Sequence, residues 1–151
     1  MSYPTDPLSV QVRARVLTVL DNIVAEDGYF STPGVVYDNY KNWKEREAFP
    51  SYEVIFGAGG SWEEQMGDYA SETFTLVVHG SIAADEDPPS MIRKLIRDVR
   101  KAVLNDATLL ALVSRITLGE TRTDNGAGAL VGGGWFDQDF LCTIHGQIEE
   151  L

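Results

Sequence analysis

The sequence predicts an α+β domain, a mainly antiparallel sheet with two principal helices on one face and an extended hairpin at the C-terminal end. Three observations lead there. Two segments carry apolar residues at helical spacing, FTLVVHGSI and FLCTIHGQI alternate with period two, and a glycine-rich run separates the last two strand-like segments. The order of parts is helix, two strands, strand, helix, short helix, strand, strand, over one domain spanning residues 1–151.

DPLSVQVRARVLTVLDNIVAEDG reads as the first helix, with Asp6 as cap, Pro7 at the first position and Gly28 at the end. Leu8, Val12, Val16, Leu20, Ile23 and Val24 form its core stripe. GVVYD and SYEVIFG read as short strands around the charged spacer NYKNWKEREAF, which suits a helical turn. GAGGSWEEQMGDYA then reads as a long, polar, glycine-bearing loop.

ETFTLVVHGSIA is the clearest strand, with Phe74, Leu76, Val78, Gly80 and Ile82 on one face. ADEDPPS stops it and caps the next helix, PSMIRKLIRDVRKAVLND. There Ile92, Leu95, Ile96, Val99 and Val103 point inward, while Arg93, Lys94, Arg97, Arg100 and Lys101 make a basic flank. ATLLALV suits a short helical turn, and SRITLGETRTD, GAGALVGGG and WFDQDFLCTIHGQIE form a hairpin with an extended tip.

With 23 acidic against 12 basic residues the formal charge is −11, which disfavours broad binding to nucleic acid or anionic membrane. The single Cys142 excludes an intramolecular disulfide framework, and a reducing compartment is the simplest setting. The N-terminal stretch lacks the basic and apolar regions of a signal peptide, and no apolar run suggests a membrane span, so a soluble protein made in the cytoplasm is expected.

His79 and His145 are the only histidines, and each precedes glycine in the repeated strand pattern. Both fall on the polar face, and both glycines fall where a helix could approach the sheet. A metal site needs at least one further ligand. Asp137 and Asp139 share the face of His145, but they lie roughly 20–27 Å from it along an extended strand. The expectation is two structural histidines, with no metal, cofactor or catalytic set. A small metal-dependent enzyme using His79 and His145 is the alternative.

GAGALVGGG lacks the strand-before, helix-after context of a phosphate loop and reads as a hairpin tip. The acids Asp85, Glu86 and Asp87 do not match calcium-loop spacing and read as dipole partners of the following helix. Trp62 and Trp135 stand in or beside glycine-rich loops, where aromatic residues can anchor an interface. With Arg93, Arg97 and Arg100 they are the candidates for subunit or tail-tube contacts.

The layout over nearly the full chain resembles the tail terminator proteins of long-tailed bacteriophages and similar tail-completion proteins. VQVRARVLTVLDNI resembles their opening helix, FPSYEVIFG their proline-led strand, and SETFTLVVHGSIAADEDPPSMIRKLIRDVRKAVLNDATL their strand, acidic turn and helix with an Asp-x-Thr-Leu step. SRITLGETRTDNG and WFDQDFLCTIHGQIEEL resemble the closing hairpin. Leu110 follows the step where such proteins often have a small residue. The resemblance implies a virion protein without enzymatic residues, forming a homohexameric ring at the head-proximal end of the tail. Its partners would be the tail tube protein and a head-completion or neck protein, with DNA only passing through an acidic or neutral lumen and no membrane contact. A neck or head-completion connector is the neighbouring alternative.

Overall fold

A computed structural model of the chain describes residues 5–38, 48–83, 88–124 and 134–151. Helix α1 (Leu8–Asp21) is followed by a 3₁₀ turn at Ala25–Asp27, and strands β1 (Val35–Tyr37), β2 (Ser51–Glu64) and β3 (Tyr69–Ser81) come next. Helices α2 (Pro88–Leu104) and α3 (Ala107–Leu112) precede β4 (Arg115–Asp124) and β5 (Trp135–Gln147), and a 3₁₀ turn at Ile148–Glu150 closes the chain.

The strands form one five-stranded sheet in the order β1-β2-β3-β5-β4. It is mixed: β1 runs parallel to β2, whereas the β2–β3, β3–β5 and β4–β5 pairs are antiparallel. The α+β class holds, and the expected C-terminal hairpin is the β4–β5 pair.

The core lies between the helices and one sheet face. Val12, Val16, Leu20, Ile92, Leu95, Ile96 and Val99 from the helices meet Tyr52, Val54, Leu76, Val78, Phe136, Phe140 and Ile144 from the sheet. Alternate strand residues supply this face because successive side chains point to opposite sides. The expected strand faces and the α2 stripe are therefore observed. No helix among the described residues is long and apolar enough to cross a membrane.

Helix α1 starts differently from expectation. Pro7 is its N-cap, and Asp6 makes no side-chain cap; its carbonyl accepts from Gln11 Nε2 at 2.8 Å. The helix stops at Asp21, while Ile23 remains buried beyond it and Gly28, in the left-handed region at φ 89°, ends the following turn. The stripe expected through Val24 thus outlasts the helix only at the buried Ile23 and half-buried Val24, and the turn at Ala25–Asp27 has no buried residue.

Asp106 caps α3 by accepting from the Leu109 N–H at 2.8 Å. The same carboxylate takes a two-pronged bond from Arg15 of α1, with both N–O distances 2.8 Å. Arg15 beside it, and then the Leu109 amide, hold the Asp106 carboxyl below its ordinary value. One side chain therefore fixes both the start of α3 and its position against α1.

The expected turn in NYKNWKEREAF lies outside the described residues except for Ala48 and Phe49, and so do Asp85, Glu86, Asp87 and the tip 125–133.

Candidate assembly interface

The segment read as a loop at 57–70 is instead a β-hairpin arm. β2 continues to Glu64 and pairs with β3 as far as Glu64↔Ala70. Glycine makes this possible at two places: Gly59 (φ 82°) lies in the register shift between Phe56 and Gly60, and Gly67 (φ 76°) lies in the turn. The turn is closed by the Gln65 N–H donating to the Tyr69 carbonyl at 2.9 Å. A solvated arm needs no apolar alternation, so its sequence carries no period-two signal.

The arm exposes large apolar groups, namely Ile55, Phe56, Trp62, Met66 and Tyr69, with Met66 94% exposed and Trp62 47%. Trp62 pairs with Glu72, which pairs with the buried Ile144, so the indole lies on the helix-bearing side of the sheet. Phe56 lies on that same side, its ring centroid 6.0 Å from that of Phe74. These two aromatics extend the core surface past the helices and into solvent. Trp62 is therefore a strand residue with an open face, as an anchor requires, although it is not in a loop.

Trp135 opens β5 and is partly committed to its own sheet, its indole stacked on His79 at 5.7 Å between centroids. The helix-free face around it carries a charged cluster. His79 Nδ1 lies 2.6 Å from Asp137 Oδ1, directly across β3–β5, and its Nε2 lies 3.3 Å from Ser81 Oγ and 3.9 Å from the buried Glu53 carboxylate. Beside it Arg122 grips Asp139 with both Nη atoms, at 2.6 and 3.1 Å, and sits 3.2 Å from Glu120. Asp139 first, then the other acids, raise the Arg122 pKa.

Hydroxyl, imidazole and carboxylate thus stand in relay order at Ser81, His79 and Asp137. No sequence spacing signals this, because Asp137 becomes His79's neighbour only through the β3–β5 register. Ser81 itself is buried. His145 lies elsewhere: it pairs with Ser71, eight positions from His79 along β3 (79 − 71), roughly 27 Å away. Its Nδ1 lies 3.2 Å from Ser71 Oγ and its ring stacks on Tyr69 at 5.8 Å. The two histidines do not converge. Among the described residues no three His, Cys, Asp or Glu side chains group as a metal site.

The two glycines divide over the expected approach of a helix, which is met at Gly146 and not at Gly80. A Cβ on Gly80 would sit 2.2 Å from the Phe136 ring, so a neighbouring strand's phenyl fills that space rather than a helix. At Gly146 the nearest groups are the Glu150 carboxylate at 3.1 Å and Leu8 of α1 at 3.4 Å.

The basic flank of α2 is divided: Arg93, Lys94 and Arg97 are exposed, whereas Arg100 and Lys101 are half-buried. Arg100 donates from Nε to Gln138 Oε1 and from Nη2 to Thr121 Oγ1, both at 3.0 Å, so it serves its own sheet instead of a neighbour. Gln138 is fully buried on the helix side of β5 and needs such a donor. A polar residue at an inward position of WFDQDF was the available signal. Arg97 and Lys101 both donate to the Gly28 carbonyl, at 3.0 and 2.9 Å, and Arg97 also lies over the Phe30 ring. Arg97 keeps 51% of its side chain exposed, and Arg93 is exposed. Of the three arginines, Arg93 and the outer part of Arg97 remain presented to a partner.

The same loop is held by a residue that no sequence pattern marks. Asp98, fully buried on α2, accepts the Phe30 N–H at 3.0 Å and the Ser31 N–H at 3.1 Å. Burial, with the Asp98 charge added, pushes the Tyr52 hydroxyl well above the usual phenol value.

No protein-family model matches this chain, and a search of curated proteins finds no match either.

Proposed function

We propose that this chain is a tail-completion subunit of a long-tailed bacteriophage, a tail terminator. It forms a ring on the tail tube, ends tube polymerisation and presents the surface that joins a head. The observation that carries the assembly part of this reading is the β2–β3 arm. An arm exposing Ile55, Phe56, Trp62, Met66 and Tyr69 is a surface that a partner would remove from water.

The order of elements supports the tail assignment, since helix, proline-led strand, central strand, helix with a capped Asp106 step and closing hairpin stand as the family resemblance implies. A tube presents the same top surface after every added ring, so a terminator needs two unlike faces. A subunit with an apolar arm on one flank and a basic helix edge at Arg93 and Arg97 has unlike surfaces to offer. The charge of −11 favours a lumen through which DNA slides, because clustered Lys and Arg would hold its phosphates.

Deleting the gene from its phage is expected to give headless tails of uncontrolled, often excessive length, seen by negative-stain microscopy. Normal-length tails that attach to heads would overturn the reading. Normal-length tails that fail to attach would move the protein to the neck.

A further inference from the structure

We infer that copies of this chain join edge to edge, with β4 of one copy adding antiparallel to residues 55–64 of β2 in the next. This rests on the ring-forming reading above and deepens it by naming the contact. Among the described residues the sheet has two open edges. β1 covers β2 only at 51–53, and among the described residues nothing pairs with the outer edge of 55–64. β4 is the terminal strand on the other side. Open edges with exposed apolar side chains are templates for strand addition.

Strand direction fits without adjustment. Three successive antiparallel pairs separate β2 from β4, so the two strands run oppositely within one copy. When β4 of a neighbour is laid beside β2 with the helix-bearing faces on the same side, the new pair is antiparallel. The contact is head-to-tail, joining two different surfaces, which is the kind that generates rings or filaments.

The faces then select a register. Ile116 and Leu118 pair with Cys142 and Phe140, so they belong to the helix side, as do Gly60 and Trp62. Arg115 and Thr117 share the other side with Ser61 and Glu63. Setting Ile116 opposite Trp62 puts Leu118, itself 41% exposed, against Gly60, where there is no side chain in its way. The same setting places Arg115 opposite Glu63 and Thr117 opposite Ser61. A one-residue slip would bring Arg115 onto the apolar row. A two-residue slip would set Ile116 against Glu64 in one direction, or leave Trp62 unpaired in the other. In the chosen register the β4 irregularity between Leu118 and Thr121 also faces the β2 irregularity between Phe56 and Gly60, so two bends coincide.

The occupant is a second copy because the two edges complement each other. One carries the acids Glu63 and Glu64 with an indole, and the other carries Arg115 with two exposed or half-buried aliphatic residues. The test uses the full chain. Glu63→Cys with Arg115→Cys in one chain, under oxidation, is expected to give a covalent ladder of multimers on a non-reducing gel. Glu63→Cys with Thr117→Cys, one rung pair out of register, should give little. Independently, Trp62→Ala should raise the concentration for half-assembly at least ~30-fold by sedimentation, as loss of a central aromatic anchor does. Glu63→Arg should weaken assembly a few-fold, and adding Arg115→Glu should restore it.

A ladder from the shifted pair alone would overturn the register. Multimers that form without either crosslink, and ignore Trp62→Ala, would overturn edge pairing while leaving ring formation intact. A chain that stays monomeric at high concentration and forms no crosslink would overturn the pairing, and the gene deletion would still decide the terminator reading separately.

Discussion

FTLVVHGSI and FLCTIHGQI share a pattern, lie side by side and end in different surroundings. Because β3 and β5 are antiparallel, Phe74 pairs with Cys142 and Leu76 with Phe140, so the two patterns run apart from a shared middle and carry the two histidines to opposite ends of the strand pair. His79 reaches the end where β2, β5 and Trp135 enclose it, so it meets Asp137, Ser81 and the buried Glu53. His145 reaches the end beside the hairpin turn and meets one serine and an exposed tyrosine. Periodicity sets the side a residue faces. The register and the neighbouring strands set the chemistry it finds there.

The sharpest contrast is at Cys142, at the place in its segment that Leu76 holds in the other. Both are fully buried, and burial alone pushes the Cys142 thiol up to about 12. Alkylation of the folded chain should be slower than that of the urea-unfolded chain by at least ~10³-fold, because the thiol reacts only on opening. The sign with pH follows: a raised pKa means the neutral thiol's contribution to stability is intact below its ordinary value and is lost as pH rises through about 12. Fast labelling under native conditions would break the equivalence of the two cores.

Next come the glycines. Gly80→Ala is expected to cost about 3 kcal/mol in urea unfolding, since the phenyl ring of Phe136 would have to leave its place across the strand. Gly146→Ala should cost under about 1 kcal/mol, because the group it approaches most closely is a movable carboxylate end. Equal costs would show that the two ends are packed alike.

The histidine pair should differ by less. His79→Gln is expected to lose about 1–2 kcal/mol as Asp137 gives up a partner, and His145→Gln to stay within about 0.5 kcal/mol. Neither change should alter metal content, measured on the purified protein. Stoichiometric zinc lost in the double variant would replace the structural account of both rings. The smallest effect belongs to the rung shared by Tyr52, Gly80 and Phe136: Tyr52→Phe should leave stability unchanged or raise it by up to ~1 kcal/mol, because among the described residues the buried hydroxyl has no hydrogen-bond partner.

What the sequence made legible follows from the same division. The helix stripe Ile92–Val103 and the inward strand positions could be read because solvent and core alternate at fixed periods. The parallel β1 pairing could not, since three residues carry no direction of their own. Residues 57–64 look like a loop because glycine suits a bulge as well as a turn, and because an arm with solvent around it has no reason to alternate. The helix repeat places Arg100 on the outside, at the margin of the basic flank. The deciding partner, Gln138, lies 38 residues away. The Ser81–His79–Asp137 alignment likewise depends on a rung spanning 58 residues.

The carboxylate shared by Arg15 and the α3 cap has a consequence for behaviour in acid. A depressed Asp106 pKa means its stabilisation is present above the ordinary aspartate value and is lost only as pH falls through the lowered one. Before that, the chain passes the isoelectric point set by its sequence, near pH 4.4. Acidification should therefore cancel mutual repulsion first and release the α1–α3 latch second. In a slow titration, turbidity from still-folded chains is expected to precede the loss of far-ultraviolet circular dichroism, so that mild acid would gather this protein rather than unfold it.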